Sequence, residues 1–360
     1  MWRNNSIDLF VDITTECNAG CPMCDRTDRD NSCKKQEWLP KVSWTIDQFK
    51  QVYPKSVVER LRRIDICGSW GDPPMNKDLI KIVEWIVKNN KSTFISIQTN
   101  GSLRNEEFWY DLGYTGGKQL AVHFAVEGIN QEMHEKYRQK TYLKKILSNM
   151  KTLSMTPARI STQTLIWKHN ENHLKEIEKL CIEHGSTSHR EVYTDRRFDK
   201  NNRWIFTDPK GNLDYLEKSI PNIGENESTL ENTSYGYKEK IRRQDQDNVE
   251  NLWYKFIYNN KLEEKDKRKI SCKWGNVNRI LVNPDGYVLP CCYFAVPTYR
   301  KEKYFMQRDI MKQYFKSELN VFKRNLLDII EDKWFQKTLP DTWKDGTYTP
   351  QCHNFCGKKI

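Results

Sequence analysis

Apolar residues alternate along some stretches of the chain and recur at helical spacing along others, and the two patterns take turns. Alternation over residues 6–13 predicts a first strand, because successive side chains of a strand point to opposite faces. Apolar runs predict four further strands and a weaker sixth, over residues 64–67, 93–99, 120–126, 160–167 and 188–193. The strands are evenly spread over the first half of the chain.

Helical periodicity fills the intervals between these strands. Thr45 and Gln48 form a possible capping box at the start of one helix, and Pro54 is expected to bend or divide that helix. Further helices are predicted over residues 79–87, 143–153 and 174–181. Alternating strands and helices predict an α/β fold around a parallel sheet, arranged either as a partial barrel or as a doubly wound sheet.

The character of the chain changes in its second half. Residues 199–269 are polar and rich in Asn, Lys and Glu, with a linker expected at 224–228. Residues 283–286, Asn-Pro-Asp-Gly, lie between two short apolar runs and predict a hairpin, because the glycine can take a positive φ. A helical stretch is expected over 303–338. A domain boundary therefore belongs within the polar segment.

Composition and charge limit the class of protein. Twelve Trp, 17 Tyr and 14 Phe among 360 residues exclude a disordered chain. The net charge of +11 favours an acidic partner such as nucleic acid, although the basic clusters are short enough to be solvated surface. The sequence has neither the apolar region of a signal peptide nor a run of ~18 apolar residues. We expect a soluble cytoplasmic protein without membrane contact.

The 11 cysteines are grouped towards the two ends of the chain, which favours metal ligation over a disulfide framework. Cys17, Cys21 and Cys24 place three thiolates in one loop directly after the first predicted strand. Three thiolates can bind three irons of a 4Fe-4S cubane and leave the fourth iron open to a small molecule. A structural zinc site would need a fourth ligand.

This cysteine spacing resembles the radical S-adenosylmethionine (radical SAM) superfamily, and three later segments at strand ends strengthen the resemblance. Residues 68–73, Gly-Ser-Trp-Gly-Asp-Pro, are similar to a Gly-Gly-Glu-Pro segment of that family, with Asp72 in place of the usual Glu. Residues 98–101 are similar to its Thr-Asn-Gly motif, and residues 126–128 stand where Ser-x-Asp-Gly is common. The resemblance covers about residues 6–195.

The resemblance implies a partial (β/α)6 TIM-like barrel with its site at the carboxyl ends of the strands. It also implies that the Cys17, Cys21 and Cys24 cluster reductively cleaves S-adenosylmethionine to a 5'-deoxyadenosyl radical, which abstracts a substrate hydrogen. The electron would come from a small donor such as flavodoxin or ferredoxin. Residues expected at the S-adenosylmethionine site are Met23, Gly71, Asp72, Pro73, Asn100 and Glu127, with Glu127 facing the ribose. Met23 departs from the aromatic residue usual at its position.

The second cysteine group resembles the Twitch and SPASM domains that follow many radical SAM barrels. Thirteen residues separate Cys272 from Gly286, four more precede Cys291, and Cys352 and Cys356 lie near the end. Five cysteines in this segment suit the one-cluster Twitch form, which implies an auxiliary 4Fe-4S cluster on Cys272, Cys291, Cys352 and Cys356.

Two alternatives stay open at this second group. Cys292 competes with Cys291 as a ligand, because the two are adjacent. A zinc knuckle is also possible, using Cys272, Cys291 or Cys292, Cys352, and either Cys356 or His353. The other cysteines are interpreted as core thiols at Cys67 and Cys181, and Cys33 is unassigned.

These expectations divide the chain into a barrel (1–210), a polar connecting region (211–265) and a small α+β Twitch/SPASM-like iron-sulfur domain (266–360). The predicted function is net oxidation of a peptide or small molecule. Modification of a nucleotide or nucleic acid is the alternative, encouraged by aromatic residues among basic ones in 196–198 and 203–206. A non-catalytic metal-stabilised binding protein is an alternative of another class. No residue is identified as the catalytic acid or base.

Overall fold

A computed structural model of the chain describes residues 2–194, 198–199, 201–220 and 268–359. Its strands in chain order are β1 (Ile7–Val11), β2 (Thr27–Asp28), β3 (Lys34–Lys35), β4 (Leu61–Ile66), β5 (Phe94–Thr99), β6 (Leu120–Ala125), β7 (Arg159–Ile166), β8 (Ser188–Tyr193), β9 (Arg203–Thr207), β10 (Leu213–Glu217), β11 (Arg268–Ile270), β12 (Arg279–Val282), β13 (Val288–Leu289) and β14 (Gly357–Lys359). Its α-helices are α1 (Ile46–Val52), α2 (Lys55–Val58), α3 (Leu79–Asn89), α4 (Glu106–Gly116), α5 (Gln131–Glu135), α6 (Leu143–Leu153), α7 (Leu174–Glu183), α8 (Ala295–Tyr299), α9 (Lys303–Met306), α10 (Asp309–Lys316), α11 (Leu326–Ile330), α12 (Leu339–Asp345) and α13 (Pro350–Cys356).

An 8-stranded sheet in the order β13-β12-β1-β4-β5-β6-β7-β8 forms the centre of the fold. All neighbours from β12 to β8 are parallel, and only β13 is antiparallel to its partner β12. The carboxyl ends of the parallel strands therefore lie at one edge, where barrel active sites are built. This arrangement is that of a partial TIM-like barrel and confirms the predicted fold class.

The strands hold their helices through apolar side chains on one face. Leu9, Ile64 and Ile97 are fully buried, as are the residues of α3 that recur at helical spacing, Leu79, Ile82, Val83 and Ile86. Burial of one such side chain stabilises the fold by roughly 1.5–3 kcal/mol. The hydrophobic periodicity of the sequence is therefore the periodicity of the sheet-to-helix contact.

The predicted start and interruption of the first helix are confirmed. The Thr45 side chain accepts a hydrogen bond from the Gln48 amide (3.2 Å), and the Gln48 side chain accepts one from the Thr45 amide (2.9 Å). Pro54 separates α1 from α2. Among the described residues no helix is long and apolar enough to cross a membrane.

Several elements differ from the expectations. Helix α4 was not predicted, because Gly113 and Gly116 interrupt the apolar spacing of Trp109 and Leu112. Strands β9 and β10 form an antiparallel hairpin within the polar segment 199–269, where no strand was predicted. The helical stretch expected over 303–338 is divided into α9, α10, α11 and a π-helix at Trp334–Thr338. The linker at 224–228, Arg196 and Arg197 lie outside the described residues.

The predicted C-terminal hairpin is confirmed as β12 and β13, and it joins the main sheet. Strand β12 pairs in parallel with β1, from Asp8 opposite Arg279 to Val11 opposite Val282. Ile280 and Val282 are fully buried, so the apolar face of the hairpin completes the core beside β1. The second cysteine group is thereby attached to the edge of the barrel sheet.

Candidate active site

The three cysteines of the first group lie in a loop that leaves the carboxyl end of β1. The loop folds on itself, since the Ala19 amide donates to the Cys17 sulfur (3.4 Å) and the Cys24 amide to the Cys21 carbonyl (3.1 Å). Cys21 is buried, and Cys17 and Cys24 are partly buried. The short spacing of the sequence therefore gives three thiols within one closed turn.

Two polar side chains from later loops reach these sulfurs. The Asn100 side-chain amide donates to the Cys17 sulfur, and the Arg138 guanidinium donates to the Cys21 sulfur, each at 3.8 Å. Burial raises the pKa of Cys17, and it raises the pKa of Cys21 to about 11 although Arg138 opposes that shift. Because a bound metal deprotonates a coordinating thiol outright, this buried donor set fits an iron-sulfur cluster.

The loop after β4 packs against the start of the cysteine loop. A Cβ atom on Gly71 would lie 2.4 Å from the Thr14 carbonyl oxygen and 2.7 Å from that of Glu16, so only glycine fits. The Asp72 amide donates to the Glu16 carbonyl (2.8 Å). Pro73 is buried and begins a single 3-10 turn, Pro73–Met75. Glycine is therefore needed for contact between two stretches of backbone.

Asp72 carries an unused acceptor beside the cysteine loop. Its side chain is 3% exposed, and one carboxylate oxygen accepts from the Asn100 amide (3.0 Å). The other oxygen, Oδ2, has no hydrogen-bond partner among the described residues. Burial raises the pKa of Asp72 to about 6, while the Asn100 amide opposes the shift. A buried carboxylate oxygen without a donor fits the ammonium group of a bound S-adenosylmethionine.

Glu127 is held by partners that the sequence did not indicate. It is fully buried, and one carboxylate oxygen accepts from Nε (2.9 Å) and Nη2 (2.8 Å) of Arg138. The other oxygen accepts from the Leu165 amide (2.6 Å). Both oxygens therefore accept hydrogen bonds within the protein, and Glu127 fixes the guanidinium beside Cys21. Its contact with the ribose stays a prediction. Sequence reasoning missed Arg138, because no motif indicated that it would pair with Glu127.

Met23 belongs to a second apolar cluster, which lies over the cysteine loop. This cluster contains Cys21 and Met23 together with Phe206 of β9 and Leu216 of β10. The Trp204 indole also donates to the Pro22 carbonyl (3.0 Å). The hairpin of β9 and β10 thus covers the cysteine loop, a role that nothing in its polar sequence surroundings indicated.

The remaining cysteines of this half are buried. Cys67 and Cys181 are 5% and 0% exposed, as expected for core thiols. Cys33 packs in the same apolar cluster as Cys21, and its thiol donates to the Thr207 carbonyl (3.4 Å). Cys33 therefore helps to attach the hairpin.

Four cysteines of the second group line one small cavity, namely Cys272, Cys291, Cys352 and Cys356. They come from the segment after β11, the end of β13 and both ends of α13. The Cys272 thiol donates to the Cys356 sulfur, which lowers the pKa of Cys356 to about 6. Burial raises the pKa of Cys291. A donor set of four thiols around one cavity fits a 4Fe-4S cluster without an open iron.

The two alternative ligands lie outside that lining. Cys292 begins a 3-10 turn, Cys292–Phe294, whereas His353 stacks against Tyr348 and its Nδ1 lies 3.1 Å from the Asn354 side chain. Within the described ranges, no three His, Cys, Asp or Glu side chains are close enough together to share a single metal ion.

Comparison with known proteins agrees with this geometry. The model of the Radical SAM superfamily matches residues 11–181. A GTP 3',8-cyclase of Aliarcobacter butzleri (strain RM4018) is 23% identical over 335 residues, covering 91% of this chain and 92% of the relative. A cysteine-type anaerobic sulfatase-maturating enzyme of Clostridium novyi (strain NT) is 23% identical over 180 residues, covering 48% of this chain and 46% of the relative.

The fold also has solved counterparts. The crystal structure of Streptococcus suis SuiB superposes with a TM-score of 0.56 at 13% identity, covering 93% of this chain and 66% of SuiB. At this identity the likeness concerns the fold alone. The matched span of the family model runs from β1 into α7 and contains the cysteine loop and the loops that reach it. The chain carries a radical SAM domain at residues 11–181, where the model of the Radical SAM superfamily matches.

Proposed function

We propose that Cys17, Cys21 and Cys24 hold the 4Fe-4S cluster of this radical SAM enzyme and that the adjoining loops bind S-adenosylmethionine beside it. The main support for this proposal is that these loops meet at one edge of the sheet, where Asp72 and Asn100 lie beside the cysteine loop. Bound together, the cluster and S-adenosylmethionine supply a 5'-deoxyadenosyl radical and methionine. The protein's part is to position the target C–H bond and to exclude water.

Individual residues have distinct parts in this proposal. The free Oδ2 of Asp72 accepts from the ammonium group of S-adenosylmethionine. Asn100 fixes Asp72 through its backbone and Cys17 through its side chain. Glu127 holds Arg138 beside Cys21, and the β9–β10 hairpin shields the loop around Met23 from water.

The second cysteine group is proposed to hold an auxiliary 4Fe-4S cluster on Cys272, Cys291, Cys352 and Cys356. All four line one cavity, so the cluster would have no open iron and would serve electron transfer. The overall reaction is then a two-electron oxidation of substrate. The substrate loses a hydrogen atom to the radical, a proton to solvent or a base, and an electron to the auxiliary cluster. A flavodoxin or ferredoxin supplies the electron for S-adenosylmethionine cleavage.

A peptide is the substrate class that the comparisons favour most. The sulfatase-maturating relative acts on a protein by its name, and SuiB has a solved structure with its precursor peptide SuiA. The nucleotide alternative is supported by the GTP 3',8-cyclase relative, whose match covers most of both chains. However, Phe206 is 1% exposed and Trp204 faces the cysteine loop, so neither offers the base-stacking surface that residues 203–206 indicated.

One assay tests the proposed radical chemistry. Anaerobically reconstituted protein, reduced with dithionite, should convert S-adenosylmethionine to 5'-deoxyadenosine and methionine. A Cys24→Ala variant should fall to background, whereas Cys181→Ala, which removes a core thiol on α7, should retain activity. Iron-loaded protein that yields no 5'-deoxyadenosine would favour the non-catalytic metal-stabilised alternative.

A second assay separates the substrate classes. The enzyme is supplied with S-adenosylmethionine, dithionite and either GTP or a library of cysteine- and serine-containing peptides. The expected result is 5'-deoxyadenosine above background with peptides, accompanied by a peptide mass loss of two hydrogens. Stimulation and turnover with GTP alone would establish the nucleotide alternative instead.

A further inference from the structure

Arg26 is a buried cation that no sequence motif of the site singled out. It follows the last cysteine of the loop by two residues and is only 7% exposed. Its Nε donates to the Thr15 carbonyl (3.3 Å) and its Nη1 to the Ala19 carbonyl (3.4 Å). These two carbonyls belong to residues on either side of Cys17, so the guanidinium is held by the backbone that carries the first cysteine of the loop.

Arg26 has no directly paired carboxylate among the described residues. No carboxylate there lies within ion-pair distance of its guanidinium, and its hydrogen bonds go to uncharged carbonyls. Asp72 is the carboxylate on which its positive charge acts from a longer distance. Because a buried guanidinium without a paired carboxylate is costly, negative charge added at the cysteine loop would offset part of that cost.

Arg138, the other guanidinium at the site, shows the contrast. It approaches the Cys21 sulfur, and Glu127 accepts two of its N–H groups at 2.9 and 2.8 Å. The Arg138–Glu127 pair is therefore nearly neutral from a distance. Arg26, in contrast, is a guanidinium of the cysteine loop without a paired carboxylate among the described residues.

We propose that Arg26 is the counter-charge of the cluster on Cys17, Cys21 and Cys24, and that it raises the cluster's reduction potential. This inference rests on the proposed function, because it requires the cluster in that loop. One-electron reduction by dithionite adds one negative charge to the cluster and its three thiolates. A fixed cation in a buried site stabilises the more negative state, and charge near a cluster is one of the determinants of its potential.

A purely structural part for Arg26 would explain the same hydrogen bonds, and Arg104 provides the matched control. Arg104 also ties a loop of this site through backbone carbonyls, donating to Pro74 (2.6 Å), Asn76 (3.3 Å) and Met75 (3.5 Å). It is not among the largest influences on Cys17, Cys21 and Asp72, whereas Arg26 is among those on Cys17 and Asp72. Its removal therefore loosens a loop of the site while removing less of the positive charge that acts on the cysteines.

The experiment is an EPR-monitored redox titration of the full chain after anaerobic reconstitution. Four variants are compared with the wild type at equal iron and sulfide content, namely Arg26→Lys, Arg26→Gln, Arg26→Met and Arg104→Met. All carry Cys352→Ala and Cys356→Ala, as does the reference, so that only the first cluster is observed. The neutral variants should disfavour reduction at least tenfold, which is a shift of 59 mV for a one-electron couple. Arg26→Lys and Arg104→Met should stay within threefold of the reference.

The outcomes separate the counter-charge inference from the proposed function. If the reference protein does not load a cluster that binds S-adenosylmethionine, the proposed function fails. If the reference loads and the neutral Arg26 variants keep its potential, or if Arg104→Met shifts it equally, only the counter-charge inference fails. If Arg26→Gln and Arg26→Met do not load a cluster, the result with Arg26→Lys distinguishes the two roles. An Arg26→Lys protein that loads a cluster at the reference potential supports a requirement for positive charge. An Arg26→Lys protein that does not load a cluster shows that Arg26 is structural.

Discussion

The two cysteine groups reach a cluster-binding arrangement by opposite routes. The first group takes three thiols from eight consecutive residues, held by a loop that leaves the central strand β1. The second takes four thiols from Cys272 to Cys356, which the chain brings together only after β12 has joined the sheet and α13 has formed. A site made from local sequence is prepared by its scaffold. A site made from distant segments depends on folding of the whole region.

The polar surroundings differ in the same way. Loops from β4, β5 and β6 bring Asp72, Asn100 and Arg138 to the first group, including one carboxylate oxygen without a partner. The second cavity is lined mainly by apolar residues besides its cysteines, among them Trp274, Phe294 and Leu339. Gln351 is the polar member of that lining, and its Oε1 has no hydrogen-bond partner among the described residues. An open carboxylate suits the binding of a small charged molecule, whereas a mainly apolar, uncharged lining suits a cluster that only passes electrons.

Cysteine variants of the two groups should separate S-adenosylmethionine cleavage from substrate oxidation, and this effect should be large. Cys356→Ala should reduce iron from about eight to about four per chain, because one of two clusters is lost. S-adenosylmethionine cleavage should stay within about threefold of wild type, since the first loop is unchanged. Oxidised product should fall to background. Measurements are iron content, 5'-deoxyadenosine and product mass.

Equal loss of 5'-deoxyadenosine in Cys356→Ala and Cys24→Ala would contradict separate roles for the two cysteine groups, because the two groups would then act as one. Zinc in place of iron at the second group would contradict the auxiliary cluster but leave the first group untouched. Elemental analysis of the Cys24→Ala protein, in which the second group stands alone, distinguishes iron from zinc.

Metal removal should lower amide exchange protection around the second cysteine group much more than in the barrel. Metal binding couples to folding where ligands come from distant segments, because the unfolded chain has no preformed site. In metal-free protein we expect amide exchange protection to fall sharply in β11, α13 and β14. Protection in β4, β5 and β6 should change little, because their core of residues such as Ile64, Ile97 and Val122 is independent of the cysteines.

Hydrogen exchange followed by mass spectrometry measures both regions in one sample. The Cys352→Ala protein is the control, since it should show the same regional loss even after iron is added. Uniform loss of protection over the whole chain would mean that the second cysteine group also supports the barrel.

Gly71→Ala should disable the first site without affecting the second. A methyl group at Gly71 would meet the Thr14 and Glu16 carbonyls at 2.4 and 2.7 Å, and neither is a flexible side chain. We expect a destabilisation of about 1–3 kcal/mol from this overpacking and at least tenfold weaker S-adenosylmethionine binding, because Asp72 must shift. Equilibrium dialysis measures the affinity.

Gly117→Ala is the matched control for that variant. Gly117 has φ +52° and ψ −145° with nothing within 4 Å of the added methyl group, so its replacement carries only backbone strain of about 1–3 kcal/mol. It should lower stability comparably and leave binding intact. Equal weakening of S-adenosylmethionine binding in both variants would show that stability, not the Gly71 contact, controls the site.

Features that are local in the sequence were the ones that it could predict. The spacing of Cys17, Cys21 and Cys24 is a local feature, so it indicated the first group directly. The pairing of β12 with β13 across the turn at Gly286 is local too, and Cys291, two residues after β13, lines the cavity. The fold class followed from periodicity, because the same apolar faces that repeat in sequence pack between sheet and helices.

Residues that act through distant partners escaped prediction. Arg138 matters because Glu127, eleven positions earlier, turns it towards Cys21, and Arg26 matters because it lacks such a partner. Neither arrangement has a spacing that periodicity or a motif would reveal. The β9–β10 hairpin was missed because only its inward residues, Phe206 and Leu216, are fully buried, which leaves too short an apolar pattern.

The smallest expected effect is an acid sensitivity that belongs to the first site. His134 is fully buried; its Nδ1 accepts from the Glu127 amide (3.2 Å), and its Nε2 lies 3.0 Å from the Thr141 hydroxyl. Burial, assisted by the charge of Arg138, lowers the pKa of His134 to about 3. The histidine in the unfolded chain has an ordinary pKa of about 6.5, so between about pH 6.5 and 3 it binds a proton that His134 in the folded chain does not bind.

Stability from this histidine is consequently present above pH ~6.5 and is lost as the pH falls from there towards ~3, by at most ~1.4 kcal/mol per pH unit. Urea unfolding of metal-free wild type, His134→Gln and the surface control His173→Gln at pH 7, 6 and 5 measures it. His134→Gln should flatten the decline between pH 6 and 5, and His173→Gln should not. Because His134 braces Glu127 and hence Arg138, acid should loosen the wall beside Cys21 in iron-loaded protein, while the distant cavity around Cys352 keeps its exchange protection. An equal loss at both groups would mean that the two sites, built by different routes, nevertheless share one unfolding unit.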